Sequence, residues 1–489
     1  MFTAIQFARI SDFETQYVEA SKKDMAKPPF EVLQGEVGNV KNDILYNLKN
    51  LDSWAKDEKA TGIPLNMSVL NGKVRKTPYG CCLIIGPFNY PMLCTILPLV
   101  GAISAGNSAV VKFSEKIPNI ATVLREMVEA ALDPDCFAVV QGAIPETQAL
   151  LAEKWDKIFF TGSPTVGRII AKAAAPSLTP VTLELGGRNP AIVTKTAEIR
   201  LAARRLLWGK TLNAGQVCLS QNYVLVEQGV LPKLITELKK AYAEFFPNGT
   251  ETSSTSDVAH MVDGSVPRIK SILDNSKGEI ILGGQMDVTN NYIAPTVVVV
   301  RDTTDSLIAE ETFAPILTIL PFDTLESALK TVNEIDRCPL ALYPFSSSKT
   351  EIEKILVSTT SGGVTINDTI LHGALGSLEF GGIGGSGTGS YHGKASFDCF
   401  THRRVVVKTP GFLERIFDRI KYPPYTDSKL KRYRMISEGK PNFDRDGNQR
   451  LGWIFYLLSL GTGKTNLAQG LVLGVAAVVI GLWVKGRKI

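Results

Sequence analysis

Cysteine is scarce and unpatterned in this chain: seven residues, an odd number, with no CxxC pair. A disulfide framework or a zinc ribbon needs regular, paired spacing, so neither is expected, and reduced thiols suit a cytosol-facing protein. Histidine is scarcer still, with four in 489 residues. None stands at ligand spacing from another His, Cys or Asp, so no metal site is expected. Low-complexity tracts are absent. The net charge of +5 is spread along the chain, which argues against nucleic acid as a partner. The N-terminus carries Asp12, Glu14 and Glu19 without a continuous apolar stretch, so it does not read as a secretory signal.

What is present is an ordinary globular composition, 44% apolar and 21% charged. The length exceeds one compact core, so two or three domains are expected. From Cys81 onward, apolar runs alternate with helical stretches. Residues 82–85, 108–112, 137–140 and 158–160 read as strands, and 91–105, 146–154 and 165–175 as helices. Continuous apolar strands between helices predict a parallel sheet covered on both faces. A second alternating series runs from 223–226 to 364–367. Ahead of both, Ser68-Val69-Leu70 and Lys73-Val74-Arg75-Lys76 flank Asn71-Gly72, a strong hairpin signal. Residues 404–408 would add a third strand.

Two positions carry the strongest chemical signal. Cys218 follows Asn213-Ala214-Gly215-Gln216-Val217, small and flexible neighbours that leave a thiol reachable. Glu184 stands in Leu183-Glu184-Leu185-Gly186-Gly187, on a turn that can aim a carboxylate. One side chain can attack a carbonyl, and the other can activate the water that frees the product. Gly162-Ser163-Pro164-Thr165-Val166-Gly167 follows a strand and opens a helix, where backbone N–H groups and the helix dipole favour a pyrophosphate. Pro164 removes one of those donors.

Together with Gly86-Pro87-Phe88-Asn89-Tyr90-Pro91, these segments resemble the aldehyde dehydrogenase superfamily. Lys157-Ile158-Phe159-Phe160-Thr161-Gly162-Ser163 and Ser390-Tyr391-His392-Gly393-Lys394 are closer to its class 3, fatty-aldehyde branch, in the fungal, membrane-anchored form. The resemblance runs from about Lys22 to Lys408. It implies an α/β fold with a Rossmann-like NAD-binding domain (1–65 and 81–186) and an α/β catalytic domain (187–400). A β-hairpin dimerisation arm (66–80 and 401–410) and a linker (411–450) complete the body, and a homodimer is implied.

By the same resemblance Cys218 is the nucleophile, Glu184 the general base, and the Asn89 amide with the Cys218 N–H the oxyanion donors. Lys112 and Glu115 would clamp the adenosine ribose; a carboxylate there favours NAD over NADP. Gly162, Ser163, Val166 and Gly167 would cradle the pyrophosphate. Glu311 would hold the nicotinamide ribose, and Phe313 would pack beside the ring. Arg188 stands where the Glu184 motif usually has Lys or Asn, and Phe113 where Pro is usual. The expected reaction is NAD-dependent oxidation of long-chain, lipophilic aldehydes to acids. Isoprenoid, apocarotenoid or aromatic aldehydes are the alternative substrates, and a catalytically silent membrane scaffold is the distant one.

Residues 467–484 are apolar or small apart from Gln469 and precede Lys485, Gly486, Arg487 and Lys488. As a helix they span roughly 27 Å, close to a bilayer's hydrocarbon thickness. A tail anchor is expected, led into by an interfacial stretch at 451–460, with the body facing the cytosol at the endoplasmic reticulum or mitochondrial outer membrane. Two glycine patterns are decoys: Gly382-Ile383-Gly384-Gly385-Ser386-Gly387 lacks a following βαβ unit and reads as a loop by the substrate funnel, and Gly461-Thr462-Gly463-Lys464-Thr465 joins two apolar segments. His372 and His392 are expected to serve as structural hydrogen bonders. Glu379, where relatives tend to carry Pro, points to an altered pocket mouth.

Overall fold

The computed structural model describes residues 8–63, 70–250, 257–412, 419–437 and 443–448. They form two compact units, one of residues up to Glu58 with Val74–Val405, the other of Lys59–Lys73 with the chain from Val406.

The larger unit contains two sheets. The first has six strands in the order Gly387–Thr388, Val181–Glu184, Lys157–Thr161, Cys81–Ile85, Ser108–Lys112 and Phe137–Val140. The five strands between 81 and 184 are parallel. Cys82, Leu83 and Ile84 are fully buried in succession, because helices cover both faces and no position can face water. The helices Pro91–Ser104, Pro118–Ala131, Ile144–Ala152 and Pro164–Ala174 each carry proline in the first turn. There the missing N–H is not needed and the fixed φ suits the helix. The helix at 118–131 was not anticipated from the sequence.

The second sheet has seven strands in the order Glu279–Leu282, Thr296–Val299, Ile316–Phe322, Tyr223–Glu227, Pro190–Val193, Ala341–Phe345 and Gly363–Val364. Its interior strand Pro190–Val193 is buried along its whole length. The chain then returns. Gly387–Thr388 pairs antiparallel with Val181–Glu184, setting Gly387 opposite Glu184. The end of the 187–400 stretch thus completes the first sheet, whose edge would otherwise leave ladder groups unpaired. The Gly382–Gly387 loop lies beside the strand that carries Glu184, and the Leu185 N–H donates to the Ser386 carbonyl at 3.0 Å.

A third sheet orders Glu58–Lys59, Lys73–Pro78 and Thr401–Val406. Glu58 pairs with Lys76 and Arg403, which hold its carboxyl at about 2, well below the usual range. The neighbour of Lys73–Pro78 on that side is therefore Glu58–Lys59. Leu70 is 3₁₀-helical and not part of the strand expected there, and residues 64–69 fall outside the described residues. Asn71 has φ 43°, as a tight turn there requires.

In the smaller unit the Ala60 N–H donates to Gly72 and the Lys408 N–H to Leu70, both at 3.0 Å. Helices Arg419–Lys421 and Asp427–Ser437 follow. Among the described residues no helix is long and apolar enough to cross a membrane. The segments 451–460 and 467–484, and the Gly461–Thr465 pattern, lie outside the described residues.

Candidate active site

In an open α/β sheet the crevice at the carboxyl ends of the strands is where a ligand fits. A cavity of about 620 Å³ occupies that position, reached by Ile85, Lys112, Thr161 and Glu184, each the last residue of its strand. Cys218, Glu184 and Asn89 line it, as do Lys112, Glu115, Gly162, Ser163, Val166, Glu311 and Phe313. Gly167 lies behind the wall, where a Cβ would come within 2.7 Å of Leu185.

Cys218 is presented by a strained turn. After the helix Ile199–Thr211, residues Asn213, Ala214 and Gly215 take φ of 50°, 52° and 68°. Left-handed backbone costs roughly 1–2 kcal/mol for each non-glycine residue, so surrounding bonds must hold it. Gly215 could not be replaced without backbone movement, since a Cβ there would lie 2.3 Å from the Ala314 oxygen.

The holding bonds are numerous. Asn213 Nδ2 donates to the carbonyls of Asn89 at 3.0 Å and Gln216 at 3.1 Å. Asn89 Nδ2 donates to the Gln216 carbonyl at 2.9 Å, which leaves its second amide hydrogen for a substrate. Gln216 is buried, donating to the His260 carbonyl at 3.0 Å and accepting from the Val262 N–H at 2.8 Å. Beyond the thiol, Asn189 Nδ2 donates to the Cys218 and Ser220 carbonyls at 2.7 and 3.0 Å. Sequence reasoning missed Asn189, Asn213 and Gln216 as a framework. Three amide side chains around one cysteine were the available signal.

The electrostatics are those of a dry site. Both Glu184 oxygens are buried without a hydrogen-bond partner among the described residues, and burial holds this carboxyl well above the usual range. Burial pushes the Cys218 thiol up to about 12; the charges of Glu184 and Glu311 add to this, and the N–H groups of Cys218 and Leu219 oppose it. Glu311 is raised to about 7 by burial, against the Gly187 N–H and the charge of Lys210. Buried Lys210 is lowered to about 7 and donates to the Gln221 carbonyl at 3.0 Å. Both groups therefore favour their neutral forms, so each has to lose its proton before it can act as nucleophile or base.

The other end of the cavity fits a dinucleotide. A Cβ on Gly162 would lie 2.4 Å from the Phe160 ring, and one on Gly186 would lie 2.8 Å from both Glu311 oxygens, so glycine keeps these walls open. The helix Pro164–Ala174 points its N-terminus at this space, although Ser163 Oγ already accepts the Val166 N–H at 3.3 Å. With no N–H on Pro164, fewer donors remain than in an uncapped turn. Lys112 is buried, reaching the Phe113 carbonyl at 3.1 Å and Glu115 at 3.4 Å. Phe313, with φ 51°, meets Phe88 edge-on at 6.0 Å between centroids.

Other expectations resolve individually. His372 is a hydrogen bonder, with Nδ1 2.8 Å from Thr365 Oγ1. His392 is not: both ring nitrogens lack partners among the described residues, and the ring stacks on Phe380 at 5.1 Å. The ring also meets Tyr391 edge-on at 4.4 Å between centroids, inside an aromatic cluster. Glu379 is exposed, 3.5 Å from Ser390 Oγ. Arg188 directs its guanidinium to the Ala309 and Ile335 carbonyls, away from Glu184. No group of His, Cys, Asp and Glu suited to a metal occurs among the described residues.

The family model that matches residues 8–406 is described as "Aldehyde dehydrogenase family". A Neurospora crassa protein named beta-apo-4'-carotenal oxygenase is 49% identical over 486 residues, covering 98% of this chain and 90% of that protein. The dog protein named "Aldehyde dehydrogenase, dimeric NADP-preferring" is 39% identical, covering 85% and 90%. Among solved structures, the substrate-bound state of Staphylococcus aureus AldH is similar with TM-score 0.84 and 37% identity, covering 89% of this chain and 93% of that one.

Proposed function

Because the chain belongs to the aldehyde dehydrogenase family, with proteins named as its family 3 among the relatives, we propose that Cys218, Glu184 and Asn89 carry out its chemistry on lipophilic aldehydes. The family oxidises aldehydes with NAD or NADP. The shared cavity of these three residues is the observation that carries the assignment. The Cys218 thiolate adds to the carbonyl carbon and forms a thiohemiacetal. The second Asn89 amide hydrogen and the Cys218 N–H stabilise the oxyanion. When bound, NAD(P) supplies the hydride acceptor, held by Lys112, Glu115, Glu311, Phe313 and the Gly162–Gly167 turn. Oxidation leaves a thioester on Cys218. Glu184 takes a proton from water as it attacks the thioester carbon, the carboxylic acid departs, and the thiolate is restored.

The substrate reading is an aldehyde with a long apolar tail, delivered at a membrane. The apolar segment 467–484 with its basic end supports anchorage, with the body facing the cytosol at the endoplasmic reticulum or mitochondrial outer membrane. Pairing into a homodimer through the strands at 73–78 and 401–406 belongs to the same reading. The name of the Neurospora relative favours a second substrate, an apocarotenal, whose tail is equally extended and apolar. The test is kcat/KM for hexadecanal, an apo-4'-carotenal and benzaldehyde. Benzaldehyde as the best of the three would overturn the long-tail reading. Removing residues 462–489 should release a soluble enzyme that keeps short-chain activity. If it still pellets with membranes after an alkaline carbonate wash, the anchor reading is wrong.

A further inference from the structure

The strained turn before Cys218 is held from a second direction, by a segment far upstream. Glu31 Oε2 accepts the backbone N–H of Asn213 at 2.8 Å. Asn213 is the first left-handed residue of the turn, and its side chain ties Asn89 to Gln216. Glu31 therefore grips the backbone of the residue through which the oxyanion donor and the nucleophile are linked.

The segment that delivers Glu31 is itself anchored. Glu31 lies in the short helix Pro29–Val32, followed by the π-helical turn Leu33–Val37. Single π-turns are uncommon and mark places where a helix is re-aimed. Within that turn Glu36 is fully buried and accepts from Lys27 Nζ and Tyr17 Oη, both at 2.9 Å. It also accepts the Met92 N–H at 3.0 Å, which caps the helix Pro91–Ser104 directly after Asn89-Tyr90. Lys27 Nζ lies 4.2 Å from the centre of the Tyr90 ring. One end of this short segment thus fixes the Asn89 side of the site, and the other fixes the Cys218 side.

We propose that Glu31 is a positioning residue, whose carboxylate holds the left-handed turn that aims Cys218 and keeps it in register with Asn89. The inference rests on Cys218 being the nucleophile. Burial raises Glu31 to about 7, with the charge of Asp257 adding and Lys27 and the Asn213 N–H opposing. Both protonation states keep an oxygen that accepts the N–H, so the bond and not the charge is what matters.

The full-length protein carrying Glu31→Ala and Glu31→Gln separates these roles. With the bond lost, kcat should fall about tenfold or more, since small misplacements at a reacting centre are costly. The Kd for NAD, read by fluorescence titration, should stay within about twofold, because the hydrogen bonds of Asn213 go to Glu31, Asn89 and Gln216 and not to the residues assigned to the cofactor. Carbamidomethylation of Cys218 by iodoacetamide, mapped by mass spectrometry, should change in rate by about threefold or more. Glu31→Gln keeps an acceptor oxygen and should recover to within about threefold of wild type. A folded alanine variant with unchanged kcat and alkylation rate would overturn the proposal. So would a glutamine variant as impaired as alanine. If alanine fails to fold, Glu31→Met preserves volume and decides in the same way. Full turnover in Cys218→Ala would instead overturn the underlying assignment, whatever Glu31 does.

Discussion

The two ends of the cavity are built by opposite rules. Around Cys218 the groups are buried, and three amide side chains pin a backbone turn that would not hold its shape alone. Around Glu115 the groups are more exposed, with a Glu115 side chain 44% accessible and joined to Lys112 by a long 3.4 Å pair. The difference follows the demands of the task. Chemistry at a carbonyl requires donors placed before the reaction begins, and placement costs strain that packing must offset. Holding an extended dinucleotide needs many modest contacts, none of which has to be stiff. Substitutions at the buried end should therefore change kcat by orders of magnitude, and those at the open end should change cofactor preference by small factors.

The largest effect expected is at Cys218. Cys218→Ala should lower turnover by more than about 10⁴-fold, since no other group can form the thioester. NAD should still bind, because the residues assigned to it lie elsewhere along the cavity. Cys94 lines the same cavity, but burial pushes its thiol well up, and the Cys218 charge adds to that. Substantial NADH formation by the alanine variant would erase the contrast between the two ends.

Glu184→Gln comes next. Steady turnover should fall about 10²–10⁴-fold, while a first burst of NADH near one equivalent survives. Wild-type turnover without a burst would remove Glu184 from hydrolysis. The same substitution has a stability signature. The folded-state pKa of Glu184 lies above its unfolded value of about 4.3. Its contribution is therefore complete below that value and is lost as pH rises through the folded pKa. Cofactor-free Glu184→Gln should melt at least about 2 °C above wild type at pH 8 and converge with it near pH 4.5. Scanning calorimetry at the two pH values checks both.

What could be read from the sequence follows the same division. The parallel strands were visible because burial on both faces leaves uninterrupted apolar runs, as in Cys82-Leu83-Ile84-Ile85. Cys218 and Glu184 were visible because short local motifs carry them. The partners that aim them were not, since Asn189, Gln216 and Glu31 act through bonds that span 29 to 182 positions of chain. Periodicity carries no trace of such bonds. Gly387 was misplaced for a related reason: pairing opposite Glu184 is a long-range choice made by an unsatisfied sheet edge, not by the glycine pattern around it.

Asn89 tests how stiff the buried end is. Asn89→Ala removes an oxyanion donor and also a bond to the Gln216 carbonyl at 2.9 Å. A loss of about 10²–10³-fold in kcat, with little change in the Kd for NAD, is expected. Asn89→Asp should be no better than alanine, because it keeps the size but has no amide hydrogen to donate. An aspartate variant near wild-type activity would show that the side chain shapes the turn and does not meet the oxyanion.

The smallest effect belongs to Glu115, at the open end. Its carboxylate should accept from ribose hydroxyls and repel a 2′-phosphate, so NAD should have the higher kcat/KM. Two features limit the preference. Lys112 Nζ lies 3.4 Å from Glu115 and offsets its charge, and the exposed side chain lets solvent screen the repulsion. A preference of about threefold to tenfold is therefore expected. Glu115→Gln should narrow it, mainly by lowering KM for NADP and leaving kcat within about twofold. Raising the ionic strength should narrow the wild-type preference in the same direction, since the effect is electrostatic across a partly wet gap. Equal use of both cofactors, unchanged in Glu115→Gln and insensitive to salt, would mean that this carboxylate does not discriminate. A change of kcat as large as that at Asn89 would mean that the two ends of the cavity are more tightly coupled than their construction implies.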